Sequence, residues 1–462
     1  MFHYLLRPPG FYKRLFLLAL PLVLQNLITT SLGFVDTFMV GLIGDNELSA
    51  VTAANAPIFM LQVLIFGMMS GLTVLVSQYW GRGNLDAINR TMGVALYAGL
   101  LISGLAALVL FLYPTQVMSL VTNNELLVEL GAPYLRIVGI SYIFNTASSV
   151  YVSMQRSTEN PVFGMLVFAA SMLLNTFLNY VLIFGKLGAP RLGVVGAALA
   201  TLTARVVECL IVLGYVLVNR RVPVALGALL QPGRETVRAF LKNAAPILIN
   251  ETLWGLGTTM MTVIMGHMVI SADMLAAYAI MGNIDKFSTV SCFGLAGATA
   301  VMVGKRIGEG GKKEEVYSLS CCLLLVSFLL GTVLAVLLAI ALPTFFIPVL
   351  YPLFGLSATA TRAAILLCIV DLLMMPLKSY DISNITGVLR AGGDAVMASV
   401  IDLVPLWCVA VPLATLTGWI FHAPLPLVCF SIYAENVIKM PWGVHRLRSR
   451  KWIHDLTRRV NE

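Results

Sequence analysis

The stretch LPLVLQNLITT, Leu20–Thr30, belongs to an apolar run that begins near Leu15 and continues into FVDTFMVGLIG, Phe34–Gly44. A helix needs roughly 20 apolar residues to cross a bilayer, so a run of this length reads as a membrane span. One carboxylate, Asp36, stands inside it. The composition around it agrees: of 462 residues 59% are hydrophobic and only 11% charged, with a mean hydropathy of +0.89. A soluble globule carries about 25% charged residues, so the chain reads as an all-α polytopic membrane protein. Its charged and Pro/Gly-rich breaks divide it into twelve apolar segments, near residues 14–39, 50–79, 91–113, 131–153, 162–184, 193–218, 239–266, 274–303, 316–341, 360–387, 395–418 and 424–441.

The net charge of +8 points to membrane orientation rather than to nucleic acid, because the basic residues concentrate in every second loop, on one side of the membrane. With the amino terminus inside, 22 of the 30 Lys and Arg fall in inner pieces, while the outer loops hold only Lys186 and Arg191. This positive-inside bias predicts that both termini are cytoplasmic. The opening MFHYLLRPPGFYKRLFLLAL resembles a signal peptide, but it leads into the first of a regular series and reads as an uncleaved span. All seven cysteines lie in apolar segments without a CxxC, which predicts neither disulfides nor a zinc site. No histidine is placed to titrate in mid-membrane.

The opening stretch recurs. LPLVLQNLITT, MVGLIG, ELSAVTAANA and SQYWGRGN in the first half answer to APILINETLWG, VIMGHM, MLAAYAIMGN and VGKRIGEGG in the second. Pro21 pairs with Pro246 and Gly41 with Gly266 at a separation of 225, and Arg156 in MQRSTENP pairs with Arg390 in VLRAGGDA at 234. About six spans separate the members of each pair, so the halves share one orientation and are expected to be related by a pseudo-twofold axis along the membrane normal. The predicted organisation is an N-lobe over 1–218 (helices 1–6), an inter-lobe linker over 219–238, a C-lobe over 239–442 (helices 7–12) and a basic cytoplasmic tail over 443–462.

These motifs, with LLNTFLNYVLIFG, LGVVGAALAT and GVLRAGGDA, resemble the MATE (multidrug and toxic compound extrusion) family of the MOP flippase superfamily. The resemblance runs from about Pro21 to the basic tail and rests on the order, spacing and twofold recurrence of the motifs. It implies two six-helix lobes, a central cavity, and efflux of organic, often cationic, compounds driven by proton or sodium influx, in the inner membrane of a bacterium. It also implies a monomer among lipids, with no cofactor beyond the coupling ion and no nucleic-acid partner.

Energy coupling can be read from the residues as well. VGKRIG lacks the upstream glycine of a phosphate-binding GxxxxGK[ST] loop, and no soluble segment is large enough to bind ATP. An ion gradient is then the source of work, and ionisable residues at membrane depth are the candidates. Asp36 follows Pro21 by fifteen residues, and a proline inside a helix bends it by removing a hydrogen bond. In the resembled family this bend moves with the ionisation of an aspartate at this position in some members. Asn175 and Asn179 stand at i and i+4, on one face of their helix, and Thr201 closes LGVVGAALAT. Together with Asp36 these oxygens could hold a proton or a Na⁺, a hard cation that prefers oxygen donors. The alternatives are a solvated Asp36 at the outer end and ordinary interhelical bonding of the amides. Some family members carry an aspartate where Asn179 stands, so a two-acid relay does not transfer to this chain.

Glu251, five residues after Pro246, is the second candidate, because an unpaired carboxylate in low dielectric favours its protonated form. The resembled family also uses a glutamate here, while a salt-bridged structural acid is the alternative. In DLLMMPLKSYDISN, Asp371, Lys378 and Asp381 are spaced for an intrahelical charge ladder, and Asp285, Lys286 and Asp402 are candidates to line the cavity. Lys286 and Lys378 are expected either to pair with Asp285 or Asp381 or to stand as fixed positive charges that disfavour cations. Arg205 with Glu208 and Glu435 with Lys439 read as snorkelling pairs near helix ends. The Met-rich TTMMTVIMGHM and DLLMMP read equally as an adaptable cavity wall and as core.

Two other classes compete with efflux. A lipid-linked precursor flippase of the same superfamily would have more helices and a strongly basic cavity. An intramembrane enzyme would need a clustered catalytic constellation, which these dispersed charges do not provide.

Overall fold

The computed structural model describes residues 2–457. Arg458 and Arg459 of the expected basic tail lie outside the described residues. Twelve long helices account for most of the chain: α1 Phe11–Gly41, α2 Asp45–Arg82, α3 Leu85–Leu112, α4 Glu125–Ser157, α5 Pro161–Phe184, α6 Gly193–Val218, α7 Arg234–Gly266, α8 Ser271–Gly308, α9 Lys313–Leu353, α10 Ala358–Leu389, α11 Ala395–Ile420 and α12 Leu425–Ser449. Each covers one of the twelve predicted apolar segments to within one residue. Most extend past it by a few residues, because polar residues at the ends continue a helix whose apolar middle spans the bilayer. Ten are long and apolar enough to cross a membrane; α7 and α12 are interrupted by Asn250 and Glu251, and by Glu435, Asn436 and Lys439. No strand occurs among the described residues.

The ends are fixed by local chemistry. Asn84, Asn124 and Ser357 cap α3, α4 and α10 by accepting from the backbone N–H of Ala87, Leu126 and Ala360. Pro161 opens α5, where its missing N–H costs nothing. The exposed faces are apolar, as for Leu101, Leu105, Leu108 and Leu112 along α3. Apolar area does not drive helices together in lipid, so close packing through small residues must.

The chain divides into two compact units. The amino-terminal unit comprises Leu24–Leu248 with Thr457; the carboxy-terminal unit comprises the chain up to Val23 with Ile249–Leu456. The chain therefore passes between units inside α1 and inside α7, each time two residues after a proline, Pro21 or Pro246. Both helices run unbroken across their prolines. Segment 219–238 lies within the amino-terminal unit and contains the short helix Leu226–Leu230 and the start of α7. The residues expected as a tail begin inside α12, and Trp452 is fully buried in the carboxy-terminal unit against Gly392.

The units differ in regularity. Four wider π-helical segments, Leu342–Leu350, Ser383–Leu389, Leu406–Ala410 and Thr415–Ile420, all fall in the carboxy-terminal unit. Prolines within or just before three of them (Pro343, Pro348, Pro405 and Pro412) withhold backbone donors and loosen the regular ladder.

In the amino-terminal unit, Gly196 sets the approach of α6 to α5. A Cβ there would lie 2.6 Å from the Leu182 carbonyl oxygen and 2.7 Å from its carbon. Gly196→Ala is expected to destabilise by about 1–3 kcal/mol, the usual cost of forcing extra volume into a packed contact. Gly214→Ala, on the same helix with open space around it, should stay within about 0.5 kcal/mol. Thermal melts in detergent would check both, and equal melting temperatures would contradict the argument.

Candidate functional site

The four amino-terminal residues singled out by sequence meet in one hydrogen-bonded chain across α1, α5 and α6. Asn179 Nδ2 donates to Asp36 Oδ1 at 2.5 Å and to Asn175 Oδ1 at 3.0 Å. Asn175 Nδ2 donates to Thr201 Oγ1 at 3.3 Å, and Thr201 donates to the Ala197 carbonyl at 3.1 Å. Asn175 and Asn179 are buried, whereas Asp36 keeps partial exposure. The i, i+4 spacing aligns the two amides on α5, and the small Gly196–Ala198 stretch brings α6 close enough for Thr201 to join. Asp36 is therefore no merely solvated end residue. One acceptor in the chain, Asn179 Oδ1, is buried without a partner; an empty acceptor beside a carboxylate is where a proton donor or a cation would be held. The oxygens of Asp36, Asn179 and Thr201 are hard donors that fit Na⁺ as well as a proton. One turn beyond Thr201, Arg205 pairs with Glu208 at 2.6 Å. Glu208 is fully buried, so this pair does not snorkel: it keeps a guanidinium within electrostatic reach of Asp36.

The carboxy-terminal unit departs from the sequence expectations at several charges. Glu251 is not unpaired: Arg390, at the end of the π-helical segment of α10, donates to its Oε1 at 2.7 Å. The repeat makes the difference between units plain. Arg156, the counterpart of Arg390, bonds the hydroxyls of Thr73 and Ser153, each at 3.3 Å, because Asn26 stands 225 residues before Glu251.

The expected intrahelical ladder of α10 forms only in part. Lys378 reaches Asp371 Oδ1 at 2.8 Å and also pairs with Asp285 of α8. Asp381 instead faces Lys439, Asp402 and Glu435, with its Oδ2 buried and without a partner. Asp381 and Asp371, ten residues apart, are turned about 80° from one another around the helix axis, with Lys378 about 20° from Asp371 and about 60° from Asp381. Lys286 does not take Asp285; it is exposed.

Lys439 of α12 is 4% exposed and bridges Asp402 at 2.8 Å and Glu435 at 3.1 Å, while Asn250 Nδ2 donates to Asp402 Oδ2 at 3.0 Å. This pair, too, is buried rather than snorkelling, and the roles of Arg390 and Lys439 were missed by sequence reasoning. The recurrence of Arg156 as Arg390 was the signal for the first; a Glu and a Lys four residues apart in an apolar segment was the signal for the second. Met261, Met265, Met268 and Met375 are buried in the core of this unit, which favours their reading as packing.

The sequence profile of the MatE family matches residues 21–181 and 246–416, once in each half. Over 95% of its length the chain is 26% identical to an uncharacterized transporter, YisQ, of Bacillus subtilis, covering 94% of that protein. It is 24% identical over 96% of its length to a probable multidrug resistance protein, NorM, of Thermotoga maritima, covering 94% of that protein. Among solved structures, a multidrug resistance MATE family transporter in an outward-facing conformation superposes with a TM-score of 0.84 at 19% identity, over 97% of this chain and 98% of the other. A MOP superfamily transporter from Pyrococcus furiosus, described as having a binding pocket of reversed polarity, also gives 0.84 at 19% identity, over 95% and 96% of the two chains. At these identities the structural likeness speaks for the fold alone.

Proposed function

The chain belongs to the MatE family of membrane transporters, and from that premise we propose that it extrudes organic compounds, many of them cationic, in exchange for H⁺ or Na⁺ by alternating access. It is an integral membrane transporter, not an enzyme, and its relatives named as multidrug resistance proteins support multidrug efflux. The observation that carries the ion-coupled reading is the Asp36–Asn179–Asn175–Thr201 chain with its buried, partnerless Asn179 Oδ1. With Asp36 ionised, the Asn179 amide donates to it. A proton on Asp36 reverses that need, since the acid must now donate, and rotation of the amide would offer Oδ1 as the acceptor. A Na⁺ would instead fill the same oxygens directly. Either occupant changes the bonding among α1, α5 and α6, and α1 passes from one unit to the other just after Pro21. That passage supports α1, and α7 by the same argument at Pro246, as the elements that move when the site fills. Both termini are proposed to be cytoplasmic.

The single carboxylate in this chain sets the energetics. Exchange of one H⁺ for one monovalent organic cation moves no net charge, so a voltage worth roughly 2.3 kcal/mol per charge per 100 mV does no work on it. Only a second ion, held in the carboxy-terminal unit, would make the cycle voltage-sensitive.

The experiment is uptake of ethidium into proteoliposomes under an imposed pH gradient, Na⁺ gradient or membrane potential, each alone. The proposal expects uphill uptake with at least one of the two ion gradients. Transport that only ever equilibrates ethidium under all three would overturn it.

A further inference from the structure

We infer that Arg156 of α4, with the side-chain amide of Asn26 on α1, forms an anion subsite in the amino-terminal unit that takes the carboxylate of a zwitterionic substrate. The inference rests on the efflux reading and deepens it by naming a substrate class, organic cations that also carry a carboxylate. Among the described residues Arg156 is a cation with no anion beside it. Its hydrogen bonds run from Nη2 to the hydroxyls of Thr73 and Ser153, each at 3.3 Å. These neutral groups leave its charge uncompensated. Its Nε is buried without a partner, and no carboxylate acts on it. Glu159, three residues on, accepts instead from Trp80 Nε1 at 3.3 Å. A guanidinium cannot shed its charge by deprotonation, and an unpaired charge held away from water is costly until an anion joins it.

The internal repeat shows what kind of partner suits this arginine. Its counterpart in the carboxy-terminal unit, Arg390, bonds the Glu251 carboxylate at 2.7 Å. Asn26 stands in the place of Glu251. It is neutral and one carbon shorter, and its side chain holds no partner among the described residues. Helix α1 runs close to α4 at this level: a Cβ on Gly164 would lie 2.9 Å from Gln25 Oε1 and 2.5 Å from Val152 Cγ1, and Val152 is one turn before Arg156. Gln25 Oε1 is also buried without a partner, and its amide can turn to donate as well as accept. One unit therefore closes its arginine with a carboxylate of its own, while the other offers donors to a carboxylate from outside. Exposure agrees, since Arg390 is 1% exposed whereas Arg156 keeps partial exposure. The guanidinium matches a carboxylate both by charge and by the planar spread of its N–H groups. A cation without a carboxylate gains nothing from it.

The test is equilibrium dialysis of rhodamine B and its ethyl ester against the full-length protein in detergent, at fixed neutral pH and fixed chloride. The two dyes share one cationic ring system and differ in whether the carboxylate is free or esterified. The readout is the ratio of their affinities, which cancels any loss of fold that weakens both alike. Arg156→Gln should lower the ratio of rhodamine B to ester at least tenfold, whereas a merely structural arginine would leave it unchanged. Asn26→Glu supplies from within the carboxylate that the other unit carries, keeps the guanidinium, and should also lower the ratio at least tenfold. It decides the matter should Arg156→Gln fail to fold. A smaller fall in Asn26→Glu overturns the proposal. Wild type that binds and transports the ester but not rhodamine B overturns this inference alone. Wild type that neither binds nor transports either dye takes the efflux reading down with it.

Discussion

Asp36→Asn is expected to reduce gradient-driven efflux by two orders of magnitude or more while leaving substrate exchange across the membrane intact. The replacement is nearly isosteric and can still bond Asn179, so the α1–α5–α6 chain keeps its shape. What it loses is the only carboxylate of the chain, and with it the group that takes up a proton or cancels the charge of a cation. Each 1.36 kcal/mol of lost differential interaction is a factor of ten in occupancy, and a hydrogen bond to a charged group is worth about 1.5–3 kcal/mol. A carrier that no longer binds its coupling ion cannot return empty, but it can return loaded with substrate. Parallel measurements of gradient-driven uptake and of labelled-for-unlabelled exchange in proteoliposomes separate the two. Equal loss of both would instead point to a misfolded protein.

The second large effect is on stability. Arg390→Met leaves Glu251 in a site that is 12% exposed, without the guanidinium 2.7 Å away. Removing one partner of a buried ion pair costs about 3–5 kcal/mol, because the remaining charge is stranded, whereas replacing both by neutral groups is often close to neutral. The expected result is a marked fall in melting temperature for Arg390→Met and recovery of more than half of that loss in Glu251→Gln/Arg390→Met. A double variant no more stable than the single one would show that the pair is not what Arg390 supplies. Arg390 makes further contacts, which is why recovery should be incomplete.

These two sites also show how much the sequence could disclose. The amino-terminal chain was legible because the Asn175–Asn179 pair is local and the resemblance to the MATE family supplied the remote partner, Asp36, which lies 143 residues from Asn179. Asn175 and Asn179 share a face by helical spacing, and the recurring proline placed Asp36 on a helix of known phase. The carboxy-terminal charges were misassigned because their partners are remote: Lys378 lies 93 residues from Asp285, and Glu251 lies 139 from Arg390. Spacing within one helix offered Asp381 to Lys378, but packing against α8 offered Asp285 instead. Pairing across helices depends on rotation about each helix axis, and in this unit four π-helical segments shift that phase. The twelve spans, by contrast, follow from length and hydropathy alone, and only their ends moved.

The central claim is that the coupling ion and the substrate oppose one another through the Asp36 chain. The most direct measurement is the count of protons released when tetraphenylphosphonium is added to the detergent-solubilised protein in weakly buffered solution, with and without Na⁺. If H⁺ is the coupling ion, wild type releases protons on substrate addition and Asp36→Asn releases measurably fewer. If Na⁺ is, bound ²²Na⁺ is displaced instead, and Asp36→Asn binds little of it. Wild type and Asp36→Asn giving the same proton release and the same Na⁺ displacement would contradict the account.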